Sequence, residues 1–193
     1  MVRPYDRLMG SRVLCTGLFV VLAVAGCGRS APSPPTLPPV SSPAASTSPS
    51  AAPVPSAAQA ATPQGAAAFA RFFYQQVAEG FQTQNANLVS QISLPSCGAC
   101  QRYVQSIEEV TQDELRVEGG DFEVTFAESP ALASEQSARV DTGWDFSQVS
   151  YFDRGGNLVD SGPAVTGVEE TMLLQRRDGS WLVESLVQVR QRS

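Results

Sequence analysis

The chain contains no histidine, and all thirteen of its basic residues are arginine, so lysine is absent too. These two absences remove several kinds of chemistry at once. Ser-His-Asp and Cys-His catalysis lack their base, and His-ligated zinc hydrolysis lacks its ligands. P-loop phosphate binding and Schiff-base formation lack their amine. Carboxylates and tyrosines are the acid-base groups that remain. Cysteine is scarce, with four in 193 residues, and positive charge is outnumbered, 13 basic residues against 19 acidic ones for a net charge of −6. A surface of that sign repels phosphate backbones and anionic lipid heads, which argues against a nucleic-acid partner. Charge of either sign is missing altogether from Ala31 through Ala70.

That uncharged stretch is rich in Ala, Ser and Thr, and ten prolines fall between Pro32 and Pro63. Such a composition cannot bury a core, and each proline disfavours helix and ladder pairing. Residues 27–62 are therefore expected to form a disordered tether. At about 3.1 Å per residue in polyproline II geometry it would reach roughly 100 Å. Its Ser/Thr-Pro content suits either a plain spacer or an O-glycosylated stalk.

Residues 1–26 read as an export signal. Arg3, Arg7 and Arg12 against Asp6 make a positive start, and Val13 to Gly26 is an apolar run. That run has the length of a signal-peptide core and is too short to cross a bilayer with normal flanks. It ends in Val24-Ala25-Gly26-Cys27, which resembles the lipobox of bacterial lipoproteins. The resemblance implies cleavage before Cys27, a diacylglyceryl group on its sulfur, and a protein anchored to the extracytoplasmic face of the cell membrane. Two acyl chains hold firmly at about 0.8 kcal/mol per buried methylene. Loss of residues 1–26 removes three arginines and one aspartate, which leaves 10 basic and 18 acidic residues and a net charge of −8. Membrane contact would then come from the lipid and not from charge. Arginine-only usage beside abundant alanine suggests a high-GC genome, and with the lipobox an actinobacterial lipoprotein.

Residues 63–193 suffice for one domain with its own core. Thr62-Pro63 is a helix start, with Thr62 as N-cap. Ala66, Phe69, Ala70, Phe73, Val77 and Phe81 follow at helical spacing, with an end expected near Glu79-Gly80. A short helix fits Asn85 to Ile92. A third, capped by Ser96, fits Cys97 to about Asp113. After Gly119-Gly120 the period changes to two: Phe122, Val124 and Phe126 alternate with Glu123, Thr125 and Ala127. Further strand-like runs follow, and "RRDGS" is a hairpin signal. The class is α+β, with three N-terminal helices packed on a curved antiparallel sheet. This order, ending in Asp178-Gly179-Ser180-Trp181 before Val183 and Val187, resembles the nuclear transport factor 2-like (ketosteroid isomerase-like, SnoaL-like) cone fold. The order "TPQGAAAFARFFY…CGAC" resembles a group of uncharacterised actinobacterial lipoproteins with such a domain. The fold hosts enzymes, binders and assembly modules alike.

Cys97-Gly98-Ala99-Cys100 admits three readings. With Cys15 lost in the signal and Cys27 acylated, Cys97 and Cys100 have only each other. Outside the cytoplasm they are expected to form a disulfide that staples the start of the third helix. A redox centre is the alternative, since a helix N-terminus favours the thiolate. The strand that precedes thioredoxin-type motifs is missing here, however. A zinc site lacks two further ligands. No catalytic residue, metal or cofactor is assigned. Asp141, Asp145, Tyr103 and Tyr151 are chemically eligible for the acid-base work of an isomerase-like site. Glu108-Glu109 and Glu169-Glu170 read as solvent faces, and Phe73, Tyr103, Phe126, Trp144 and Tyr151 as candidates to line or fill the cone. The expectation is an envelope lipoprotein whose domain is a non-catalytic binding or interaction module, acting on an envelope protein or on a second copy of itself. The alternative is a cone that binds a small apolar ligand, with or without isomerase-like chemistry.

Overall fold

A computed structural model describes residues 53–191. The expected signal, Cys27 and the first part of the tether lie outside the described residues. Within them run α1 (Ser56–Gln59), α2 (Pro63–Thr83), α3 (Asn87–Ser90) and α4 (Gly98–Gln112). Eight strands follow: β1 (Arg116–Gly119), β2 (Phe122–Glu128), β3 (Leu132–Ser134), β4 (Ser137–Phe146), β5 (Val149–Phe152), β6 (Leu158–Gly162), β7 (Val165–Arg177) and β8 (Ser180–Gln191).

Local chemistry accounts for the helix ends. Thr62 is extended, and its hydroxyl accepts from the Gly65 amide at 3.0 Å while Pro63 opens α2. α2 runs past the expected stop at Glu79-Gly80 and ends where Gln84 turns left-handed at φ 56°. Gly80 lies where α4 approaches α2 closely: a Cβ would fall 2.8 Å from Cδ1 of Ile107 and 3.3 Å from the Asn85 carbonyl oxygen. α4 is capped by Cys97 and not by Ser96: the Cys97 sulfur accepts from the Cys100 amide at 3.2 Å.

The strands form two antiparallel sheets, not one. The larger runs β2-β4-β7-β8, with β3 added to β4; the smaller runs β1-β5-β6. β1 leads into β2, and β4 into β5, at the same level of the molecule. There Gly119 and Gly120 adopt φ of 72° and 77°, and the Gly120 amide donates to the Gln148 carbonyl. A Cβ on Gly119 would sit 2.1 Å from that carbonyl oxygen. Glycine is required at this corner for both reasons. The β7–β8 hairpin closes through Asp178 and Gly179, both at positive φ, as the Asp-Gly signal predicts.

The helices cover one face of the larger sheet, α2 against β2 and β4 and α4 against β8. Phe69, Phe73, Tyr74 and Val77 of α2 and Ile107 of α4 meet Val140, Met172, Leu174, Trp181 and Val183, all at most 1% exposed. Each such side chain contributes about 1.5–3 kcal/mol relative to exposure. The segment Ile92–Leu94 clips onto the start of β8, with Leu94 N donating to Val183 O and Val183 N to Ile92 O.

Two expectations change. Three helices on a single sheet become four helical segments and two sheets, because the Gly119-Gly120 corner breaks the strand ladder. The tether expected to continue to residue 62 carries α1 at its end. Ala58 is buried, and the Ala60 carbonyl accepts from the Trp181 indole at 2.9 Å. Ala58, the Ala60 carbonyl and the Gln59 carbonyl, which accepts from Arg176 at 3.2 Å, hold α1, features that composition does not reveal. Among the described residues, no helix is long and apolar enough to cross a membrane.

Candidate functional site

The polar centre of the covered face is Glu170, on β7. Val168, Glu170, Met172 and Leu174 alternate along that strand, and the other three are buried. Pairing puts Glu170 between Thr142 of β4, fully buried, and Gln188 of β8, exposed. The carboxylate therefore stands at the rim of the core. Its Oε2 accepts from the Tyr74 hydroxyl at 2.5 Å and from the Trp144 indole N–H at 3.2 Å. The Tyr74 oxygen also lies 3.4 Å from the Thr142 hydroxyl, which in turn donates to the Glu170 backbone carbonyl at 3.3 Å.

Rings enclose this group. Tyr74 contacts Phe73, Phe122 and Trp144 at centroid distances of 5.5, 5.4 and 5.9 Å. Phe122 meets Trp144 at 5.2 Å, Phe146 at 4.9 Å and Tyr103 at 6.4 Å. At these separations the rings are in contact with one another. Burial above all, and then the adjacent Glu170 carboxylate, pushes the Tyr74 phenol well above its ordinary pKa. Tyr74 is thus a neutral donor at physiological pH. Glu170 keeps one oxygen, Oε1, for which no hydrogen-bond partner exists among the described side chains. No arginine among them lies within ion-pair distance of it either.

The sequence candidates separate. Phe73, Tyr103 and Trp144 join the cluster. Phe126 does not. The ladder shifts between Val124 and Phe126, so Val124 pairs with Trp144 while Phe126 pairs with Gly143. A bulge at Thr125 reverses the alternation, and Phe126 lies over Gly143 on the opposite face, where a Cβ would meet its ring at 2.2 Å. Tyr151 is on the smaller sheet, paired with Val117 and Asp160. Asp141 accepts from Arg139 at 2.9 Å and from the Thr171 hydroxyl at 2.8 Å, and Asp145 from the Gly167 amide at 2.7 Å. Both carboxylates are occupied, and neither contacts the ring cluster. Glu170, read as a solvent face, is the missed residue. The available signal was a carboxylate in register with Val168, Met172 and Leu174.

Cys97 and Cys100 form a disulfide with Cα atoms 5.2 Å apart, and both residues are fully buried. An attacking thiolate has no access without local opening, which is the opposite of an exchange-active site. Among the described residues, no group of three or more carboxylates and cysteines is placed to hold a metal. Among the clefts formed by the described residues are two shallow ones. One of about 360 Å³ lies over Phe126, Gly143 and Gly167, and one of about 430 Å³ lies beside Pro63 and Asp141. Neither is lined by a ring of the cluster.

These features define an α+β domain of antiparallel sheets over a packed cluster of rings with a carboxylate at its rim. The chain belongs to DUF6318, a family of unknown function, whose model matches residues 42–187. No curated protein matches it. Solved structures similar to it include the intermembrane space region of the chloroplast protein ARC6, 10% identical, covering 67% of this chain and 97% of that one at a TM-score of 0.49. Another is a protein with a cystatin-like fold from Caulobacter vibrioides, 13% identical, covering 63% and 87% at 0.39. A third, from Catenulispora acidiphila, is 16% identical and covers 65% and 92% at 0.40. Likeness at this level carries no statement about function.

Proposed function

We propose that the chain is an actinobacterial envelope lipoprotein. In this reading Cys27 carries the lipid, and a nuclear transport factor 2-like domain works beyond the membrane as a non-catalytic binding or interaction module. The observation that carries the non-catalytic part is the packed ring cluster. With ring contacts of 4.9 to 6.4 Å the rings pack on one another, and the Glu170 carboxylate beside them is already engaged by Tyr74 and Trp144 through Oε2. Asp141 and Asp145, the sequence candidates for a base, are held by other groups outside it. The Cys97–Cys100 disulfide supports an oxidising compartment, and the Val24-Ala25-Gly26-Cys27 pattern supports lipid attachment. An apolar-ligand cone would need these rings to part.

Replacement of Cys27 by alanine in the full chain tests the anchor. Expected is loss of fatty-acid labelling, with the protein released from the membrane fraction or left at precursor size. Unchanged labelling and membrane association would overturn the assignment.

A further inference from the structure

Glu170 is half-buried on a strand face that is otherwise apolar. Its neighbours on the same face of β7 are apolar and buried, Tyr74 and Trp144 bond to it while Phe122 packs on both of their rings, and no described arginine neutralises it. The surroundings hold the carboxylate in place all the same. Tyr74 and Trp144 both donate to Oε2, a neutral grip that fixes orientation without cancelling charge. Oε1 is left without a partner among the described side chains. Trp144, which bonds to it, and Phe122, packed on Trp144, are partly exposed, and Gln188, next in register, is exposed. The rim thus presents a fixed negative charge flanked by aromatic rings. Such a surface complements a cation with an apolar coat, whose charge meets the carboxylate and whose methyl or methylene groups meet the rings. The overall negative charge of the chain adds long-range attraction of the same sign.

We propose that the rim around Glu170 and Trp144 is a binding site for a small organic ammonium ion. This names a ligand class for the binding module, and it holds whether or not Cys27 is acylated. Inorganic cations gain the carboxylate but not the rings, and neutral isosteres gain the rings but not the carboxylate. The site therefore selects for both together. Trp144 reports on occupancy because its indole N–H shares Oε2 of the same carboxylate. Trp181, 1% exposed and bonded to the Ala60 carbonyl, is an internal control.

The test is an NMR titration of the two indole N–H signals in the full mature chain. The probes are choline chloride, ethanolamine hydrochloride, sodium chloride and 3,3-dimethyl-1-butanol, the uncharged isostere of choline. Expected is a saturable shift of the Trp144 signal with choline, with ethanolamine or with both, and no shift of Trp181. Sodium chloride and the neutral alcohol should give no saturable change. Glu170→Gln should weaken binding about tenfold or more, the loss of a partly desolvated charge contact. Glu169→Gln, which removes the same charge from the opposite face of the strand, should leave it unchanged. If Glu170→Gln fails to fold by circular dichroism, the isostere comparison and Glu169→Gln in the folded protein still decide. No saturable shift with either amine overturns the proposal, as does equal binding of the neutral alcohol or weakening by Glu169→Gln as large as by Glu170→Gln. None of these results bears on lipid attachment, which the Cys27 variant reads separately.

Discussion

Tyr74→Phe removes one oxygen and nothing else from the centre of the domain, so its cost can be worked through. The ring stays, and with it the contacts to Phe73, Phe122 and Trp144. The main loss is the 2.5 Å bond to Glu170, beside a long 3.4 Å one shared with Thr142, and a hydrogen bond to a charged group contributes about 1.5–3 kcal/mol net. Glu170 is only half-buried and can recruit water in its place, so the low end applies and the variant should lose about 1.5 kcal/mol at pH 7. Raised pH should then erase that difference. In the folded protein Tyr74 ionises well above its ordinary value, first because it is buried and second because Glu170 is negative. A group raised in the folded state contributes stability that is fully present below its unfolded pKa, here about 10, and is lost as pH rises towards the folded value. Over that window wild type loses about 1.4 kcal/mol per pH unit through Tyr74, while the phenylalanine variant loses none of it. The two stabilities should therefore converge near pH 11. No lysine titrates in this range to confuse the comparison, and the other tyrosines are common to both proteins. Urea unfolding of both proteins at pH 7, 9, 10 and 11 measures it. A difference below about 0.5 kcal/mol at pH 7, smaller than a net hydrogen bond, or a gap that widens with pH, would refute the reasoning.

Gly119→Ala should destabilise the domain by about 2 kcal/mol or more, because the left-handed φ and the approach to the Gln148 carbonyl both exclude a Cβ; urea midpoints near wild type would contradict the corner geometry. Trp181→Phe should cost about 2 kcal/mol or more, from the lost bond to Ala60 and the cavity left in the core. It should also bring protease cleavage near α1 ahead of global unfolding, and an unchanged cleavage pattern would count against α1 being held by that bond. The Cys97–Cys100 disulfide closes a very small loop, for which chain entropy gives about 2 kcal/mol. Since both cysteines are buried, labelling of freed thiols under mild reductant should rise only as urea opens the fold. Rapid labelling of the native protein would point to an accessible, exchange-active pair.

Much of the fold was legible because local chemistry decides it. Thr62 caps α2 and Pro63 opens it, Asp178-Gly179 closes β7 onto β8, and Cys97 and Cys100 one turn apart can reach each other. Other features depend on residues distant in the chain. Gly80 looks like a helix end until Ile107 of α4 occupies the space a side chain would need. β1 and β3, four and three residues long, carry no alternation strong enough to announce them. Phe126 follows Phe122 and Val124 at a spacing of two, yet the bulge at Thr125 sends it to the other face. Asp141 and Asp145 were candidates by residue type, while Glu170 was the carboxylate on the apolar side.

By itself the sequence determined the absence of histidine and lysine chemistry, the α+β class, the helix starts and the final hairpin. Each depends on residue type or on neighbours within a few positions. Only the tertiary structure decided which carboxylate faces the rings. Glu169 and Glu170 are chemically alike and adjacent, and strand pairing assigns them to opposite faces, one beside Gly143 and one beside Thr142. A strand shows the alternation of its two faces. Which face becomes the inside depends on what packs against it, here the Phe73 and Tyr74 side of α2, nearly a hundred residues away in the chain.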